Sequence, residues 1–178
     1  MNIFELLDRE SRARSLSFLI IGGHAVNAYG YSRFTKDLDL VIRCEQRTQW
    51  LRSLEANGFS VHRDAGTFLQ LTPPPDCKWP LDLMLVNEST FANLSRDAQE
   101  FAIGPGSMKF RLPSLDDLFA LKFHVLKQEV PGRGYKDLLD ILELARCNGI
   151  DLRSERVKSI CDKFGTPKIY ERILAFSS

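Results

Sequence analysis

The sequence predicts an α+β (α/β) protein: a mixed β-sheet with flanking helices over residues 1–112, then a helical part over 113–178. Three observations carry this prediction. Short apolar runs, Phe18-Leu19-Ile20-Ile21 and Leu81-Asp82-Leu83-Met84-Leu85-Val86, have the length and the bounding residues of buried strands. A glycine pair, Gly22-Gly23, separates the first run from a stretch with helical spacing. Beyond Pro113 the apolar period becomes helical and stays so.

Each element follows from local pattern. Residues 3 to about 14 set Ile3, Phe4, Leu6 and Leu7 ahead of a polar run, which predicts a short amphipathic helix. Residues 17–21 read as a strand stopped by the glycines. Residues 24 to about 31 read as a helix with Ala25, Val26 and Ala28 inward, ending near Gly30. A second strand is expected over 37–42, with Leu38, Leu40 and Ile42 on the core face and Asp37, Asp39 and Val41 on the other. A helix over 46–57 carries Trp50, Leu51 and Leu54 and stops at Gly58. Segments 60–63 and 67–71 form a hairpin around Asp64-Ala65-Gly66, and Thr72-Pro73-Pro74-Pro75 cannot continue a ladder.

Leu81 to Val86 is the next strand. Between it and Pro113 no further element is assigned. Ser114, Asp116 and Asp117 suit the positive end of a helix, and Pro131-Gly132-Arg133-Gly134 breaks it. Residues 135–147 are a second helix ended by Asn148-Gly149. Two short helices, 154–164 and 167–175, are split by Gly165-Thr166-Pro167. No internal repeat or low-complexity segment interrupts the chain.

Composition bounds the function. With 178 residues, 44% hydrophobic and 26% charged, the chain has enough for one full core. Its longest apolar run is far short of the roughly 20 residues that span a bilayer, and the N-terminus has no signal-peptide core. A cytoplasmic protein with no membrane partner is expected. Cys44, Cys77, Cys147 and Cys161 show no C-x-x-C spacing, so structural zinc and a disulfide framework are not expected. The 24 basic and 23 acidic residues leave +1, without the basic excess of a dedicated nucleic-acid binder.

The chemistry concentrates at Asp37 and Asp39. On a strand their side chains leave the same face, and like charges side by side require a cation or a proton. Mg²⁺ takes carboxylate oxygens together with substrate phosphates, so the pair reads as a metal platform. The alternative is an acidic edge strand kept soluble by its charges. Gly22 and Gly23 make a tight turn, and a turn without side chains also lets a phosphate approach backbone N–H groups. His24 reads first as a helix-start histidine without chemistry, the alternative being a catalytic or phosphate contact. Arg33 and Lys36 are either phosphate contacts or ordinary surface cations.

Lys122 lies in the middle of an apolar stripe of Leu115, Leu118, Phe119, Val125 and Leu126. It must snorkel out or face a polar partner, carboxylate or phosphate. Lys136, Asp137 and Asp140 form a polar edge that suits either a site or a surface with an i,i+4 pair. His62 and His124 have no partner pattern.

The order Ile21-Gly22-Gly23, thirteen residues, then Asp37-Leu38-Asp39-Leu40 resembles the signature of the nucleotidyltransferase (polymerase-beta-like) superfamily. Leu81-Asp82-Leu83 looks like its third carboxylate strand. Within that superfamily the chain is most similar to small bacterial abortive-infection and toxin–antitoxin-type proteins. The features are Gly22-Gly23-His24-Ala25, Arg33-Phe34-Thr35-Lys36-Asp37-Leu38-Asp39 and Lys136-Asp137-Leu138-Leu139-Asp140. The resemblance covers roughly residues 18 to 145.

It implies a nucleotidyltransferase core over 1–112 and a helical part over 113–178 that closes the nucleotide cleft. It also implies transfer of a nucleoside monophosphate from an NTP to an acceptor hydroxyl, with Mg²⁺ or Mn²⁺. Asp37, Asp39 and Asp82 would be catalytic and hold the metal. Gly22, Gly23, His24, Arg33, Lys122 and Lys136 would contact the nucleotide. Some members carry a serine at the second glycine, where Gly23 offers only its N–H. The acceptor is left open among tRNA, protein and a small molecule, and an antitoxin partner accompanies the toxin reading. The alternatives are a small-molecule transferase of the aminoglycoside-modifying kind and a non-catalytic NTP- or protein-binding module.

Overall fold

A central parallel pair of strands organises the sheet in the computed structural model, which describes residues 1–104, 106, 108–129 and 134–176. The strands are β1 (Phe18–Ile21), β2 (Leu38–Arg43), β3 (Ser60–Asp64), β4 (Phe68–Thr72) and β5 (Leu81–Val86), in the spatial order β1-β2-β5-β4-β3. Only β2 and β5 run parallel; β1, β4 and β3 pair antiparallel. The fold is therefore α+β with a mixed sheet, as the sequence predicts. The parallel register sets Leu38 across from Leu81 and Asp39 across from Asp82, so the two strand starts lie together.

Leu38, Leu40, Ile42, Leu81 and Leu83 are fully buried on this pair. Burying a side chain of this kind contributes about 1.5–3 kcal/mol, so the pair is a firm base for whatever its ends carry. Two expectations about β2 are corrected. The strand begins at Leu38, and Asp37 stands in the bend before it. Val41 does not continue an open face: it is buried with Leu19, Phe91 and Leu94 under α4 (Glu88–Arg96). Beyond Asp39, β2 is covered on both faces from Leu40 to Ile42.

Helix α1 (Ile3–Arg14) is capped by Asn2, whose side chain accepts from Phe4 N at 3.1 Å. It buries Ile3, Phe4, Leu6 and Leu7 together with Glu10. Ser53 Oγ, on α3 (Arg47–Ala56), donates to Glu10 Oε2 at 2.7 Å and ties the two helices. A short 3-10 turn, Cys44–Gln46, precedes α3. Helix α2 (Gly22–Ala28) starts on the glycine pair and ends earlier than its sequence pattern suggests; Gly30 follows with φ +100°.

Strands β6 (Gln99–Ile103) and β7 (Met108–Leu112) form a separate antiparallel pair. None of α4, β6 and β7 was expected from the sequence, although β7 alternates buried Phe110 and Leu112 with exposed Lys109 and Arg111. Phe91 and Leu94 are the buried residues of α4, and β6 buries Ile103 alone.

The chain divides into two units, Met1–Ala25 with Arg33–Pro113, and Val26–Ser32 with Ser114–Ser178. The second holds α5 (Leu115–Lys127), α6 (Gly134–Cys147), α7 (Glu155–Phe164) and α8 (Pro167–Phe176). Ser114 caps α5 by accepting from Asp117 N at 3.2 Å. Phe119, Phe123, Leu138, Ile141, Leu144, Val157, Cys161 and Ile173 form its core, joined by Val26. The predicted break at Pro131-Gly132-Arg133 lies outside the described residues. All four cysteines are free thiols. Among the described residues, no helix is long and apolar enough to cross a membrane.

Candidate functional site

The site begins where β1 runs out. Gly22 has φ +60°, a left-handed conformation that glycine adopts freely. A Cβ there would also stand 1.9 Å from Asp39 Oδ2, so the chain and the carboxylate meet only because no side chain intervenes. At Gly23 a Cβ would meet Thr35 Oγ1 at 2.4 Å and Arg33 Nη1 at 3.2 Å. The glycine pair thus lies against both Asp39 and the segment that leads into Asp37.

Each acid is placed by a different element. Asp39 sits second on β2, opposite Ile21 on β1 and Asp82 on β5. Asp82 is 5% exposed. It faces Gln70 of β4, whose Nε2 donates towards both carboxylate oxygens at 3.4 and 3.3 Å. Asp37 is oriented by Thr35, whose Oγ1 donates to Asp37 Oδ1 at 3.2 Å. One oxygen from each of Asp37, Asp39 and Asp82 lies within 4.8 Å of the others.

Three carboxylates this close repel strongly unless a proton or a cation intervenes. Their donor set is all hard oxygen, and Gly22 packs directly against Asp39 with no side chain between. Those features fit Mg²⁺ or a similar divalent ion and do not suit soft, thiolate-seeking metals.

His24, the third residue of α2, has its ring edge-on to Phe4 at 5.7 Å and to Trp79 at 4.9 Å. Its Nε2 is buried and finds no hydrogen-bond partner among the described residues. Burial lowers its pKa from the ordinary value; the Asp37 carboxylate opposes that fall, and Arg33 adds to it. Arg33 Nη1 donates to Phe34 O at 3.3 Å, and Lys36 is exposed.

Lys122 and Lys136 belong to the helical unit. Lys122 is buried, and its Nζ donates to Asp137 Oδ1 at 2.6 Å and Asp140 Oδ2 at 2.5 Å. Of the partners a buried ammonium can take, the structure supplies carboxylates. Asp137 and Asp140 turn inward while Lys136 is exposed, so the polar edge divides. Sequence reasoning missed Gln70, Thr35 and Trp79. Gln70 and Trp79 acquire meaning only from register and ring packing; Thr35, two residues before Asp37, was the one visible in principle.

No protein-family model matches the chain, and no curated protein matches it by sequence. Solved structures match it over most of its length. The solution structure of antibiotic-resistance factor ANT(2'')-Ia has TM-score 0.67 and 20% identity, covering 99% of this chain and 96% of that one. An antigenic nucleotidyltransferase-like protein from Paracoccidioides brasiliensis has TM-score 0.55 and 17% identity, covering 97% and 91%. The lincosamide antibiotic adenylyltransferase LnuA, bound to lincomycin, has TM-score 0.53 and 16% identity, covering 80% and 95%. The chain has the nucleotidyltransferase fold, and its structural neighbours are nucleotidyltransferases.

Proposed function

We propose that the protein transfers a nucleoside monophosphate from an NTP to the hydroxyl of a small-molecule acceptor, releasing pyrophosphate. The observation that carries this reading is the meeting of three carboxylates from separate elements beside Gly22. Asp37 and Asp39, with Asp82, would hold Mg²⁺ or Mn²⁺. When bound, such an ion neutralises the carboxylates and the triphosphate and polarises phosphoryl oxygens.

The chain's own groups have distinct tasks in this reading. Gly22 and Gly23 let the triphosphate lie against backbone N–H groups, and Arg33 beside Gly23 offsets its charge. Asp82, held by Gln70, accepts the proton of the acceptor hydroxyl. The hydroxyl oxygen forms a bond to the α-phosphorus as the bond to the bridging oxygen breaks, and pyrophosphate departs. His24 fixes the glycine turn through Phe4 and Trp79. Lys122 is tied to Asp137 and Asp140 within the helical unit, so no step is assigned to it or to Lys136.

A small acceptor is favoured by the near full-length likeness to ANT(2'')-Ia, solved also with adenylyl-2"-tobramycin, and by LnuA with lincomycin. A toxin acting on tRNA or protein, with an antitoxin, is the other acceptor class. The test is incubation with each α-labelled NTP and Mg²⁺, in separate arms with aminoglycosides, lincosamides, tRNA and cell extract. Label on a small acceptor, lost in the Asp37→Asn, Asp39→Asn variant, is expected. Label on tRNA or protein transfers the assignment to the toxin class. NTP binding without transfer in any arm reduces the protein to a binding module.

A further inference from the structure

We infer that Thr35 is a positioning residue whose buried hydroxyl sets how tightly the carboxylate cluster takes a divalent ion. The inference rests on the reading of Asp37, Asp39 and Asp82 as a metal platform. The three acids differ in what holds them. Asp39 lies within the strand ladder, across from Ile21 on one side and Asp82 on the other. Asp82 belongs to the same ladder and faces Gln70. Asp37 stands one residue before the β2–β5 ladder begins at Leu38, in a bend. An acid outside the ladder needs a local anchor.

Thr35 supplies it. Along Arg33-Phe34-Thr35-Lys36-Asp37 exposure alternates: Phe34 is 80% exposed and Lys36 is exposed, whereas Thr35 is 7% exposed and Asp37 half-buried. Thr35 Oγ1 lies 3.2 Å from Asp37 Oδ1 and 3.3 Å from Asp37 O. A hydroxyl has one proton to donate, and the charged carboxylate is the stronger acceptor. Thr35 is itself confined. Gly23 packs so closely on it that a Cβ there would stand 2.4 Å from Thr35 Oγ1 and 2.6 Å from its Cβ. The branched side chain also has few rotamers to choose from. The hydroxyl is therefore held between the glycine turn and the acid.

This arrangement bears on metal affinity. Three carboxylates with oxygens within 4.8 Å of one another push apart before an ion arrives. Asp37, which no ladder holds, is the acid that repulsion would turn away first. The Thr35 hydroxyl opposes that turn, so the ligand set is partly assembled in advance. Partners that hydrogen-bond a metal ligand typically account for about 10–100-fold in metal affinity.

The test titrates Mn²⁺ into the full chain without nucleotide, read by electron paramagnetic resonance, so no transfer is required. The wild-type protein should bind Mn²⁺ saturably. Thr35→Val keeps the shape and removes the hydroxyl; it should weaken Mn²⁺ binding at least about tenfold, with the melting temperature in EDTA nearly unchanged. Thr35→Ser keeps the hydroxyl and removes the methyl. It should retain near wild-type affinity even where its melting temperature falls. Unchanged affinity in Thr35→Val, or Thr35→Ser weakened as much as Thr35→Val, overturns the positioning role while leaving the platform standing. Wild-type binding no tighter than that of the Asp37→Asn, Asp39→Asn protein removes the platform itself, and the role of Thr35 with it.

Discussion

Gly22 and Asp39 lie so close that a Cβ on the glycine would stand 1.9 Å from Asp39 Oδ2 and 2.5 Å from its Cγ. The contact joins the end of β1 to the start of β2, and it fixes one metal-ligand candidate by removing a side chain from its neighbour. Gly22→Ala should therefore act twice. The left-handed backbone costs about 1–2 kcal/mol for an alanine. The displaced Asp39 should also weaken Mg²⁺-dependent NTP binding by more than the stability loss accounts for. Paired thermal melts and NTP titrations check this; a variant that binds normally would show that Asp39 can move without cost.

The three acids are expected to separate in function. Asp37→Asn and Asp39→Asn should abolish Mg²⁺-dependent NTP binding while leaving folding equal or stronger, since repulsion is relieved. Asp82→Asn should spare much of the NTP affinity and lower the transfer rate about 10²–10⁴-fold, the usual worth of a general base. Calorimetry beside single-turnover rates distinguishes the roles. Complete loss of NTP binding in Asp82→Asn would reassign that residue to the nucleotide.

Gln70 offers a finer probe of the same site. Gln70→Leu removes the donor that faces both Asp82 oxygens, leaving the carboxylate less well oriented. Transfer at saturating NTP should slow, with the apparent NTP affinity little changed. Rescue by Gln70→Asn would be partial at best, because the shorter side chain falls short of Asp82. An unaltered rate would mean that β4 merely supports the strand.

Lys122→Met is expected to destabilise the protein. A stem that only covered apolar surface would tolerate methionine, but here the ammonium sits between Asp137 and Asp140, both buried. Removing one member of a buried ionic cluster costs about 3–5 kcal/mol. Urea denaturation should show that loss, and adding Asp137→Asn and Asp140→Asn should recover a large part of it. A wild-type midpoint in Lys122→Met alone would contradict the cluster's structural role.

Glu10 gives an acid limb to stability. Hydrogen bonds from Ser53 first, and then Arg14, lower its pKa from 4.5 to about 2 against the cost of burial. A carboxyl whose folded pKa is depressed stabilises fully above its unfolded pKa and loses that contribution as pH falls towards the folded value. The loss should therefore develop between about pH 4.5 and 2. Glu10→Gln should flatten this part of the stability profile and lower the plateau at neutral pH. Denaturant midpoints collected across that range provide the check.

The sequence by itself determined the elements whose apolar period is strong: α1, β1, β2, β5 and the helices beyond Pro113. It also put a side-chain-free turn, Gly22-Gly23, and paired charges, Asp37 and Asp39, in one short stretch. Periodicity reports burial: β6, which buries Ile103 alone, left little mark, whereas β7, with Phe110 and Leu112 inward and Lys109 and Arg111 outward, and α4, with Phe91 and Leu94 inward, carried patterns that went unassigned.

Tertiary structure alone decided the register of β2 and β5, which sets Asp39 across from Asp82 although the two are far apart in the chain. It decided that Gln70 faces Asp82, that Val41 is covered by α4, and that Lys122 meets two acids from the next helix. These are relations between segments. Local propensity acts over neighbouring residues, whereas strand register and the partner of a buried charge are set by whole-sheet hydrogen bonding and by the desolvation cost of leaving that charge unpaired.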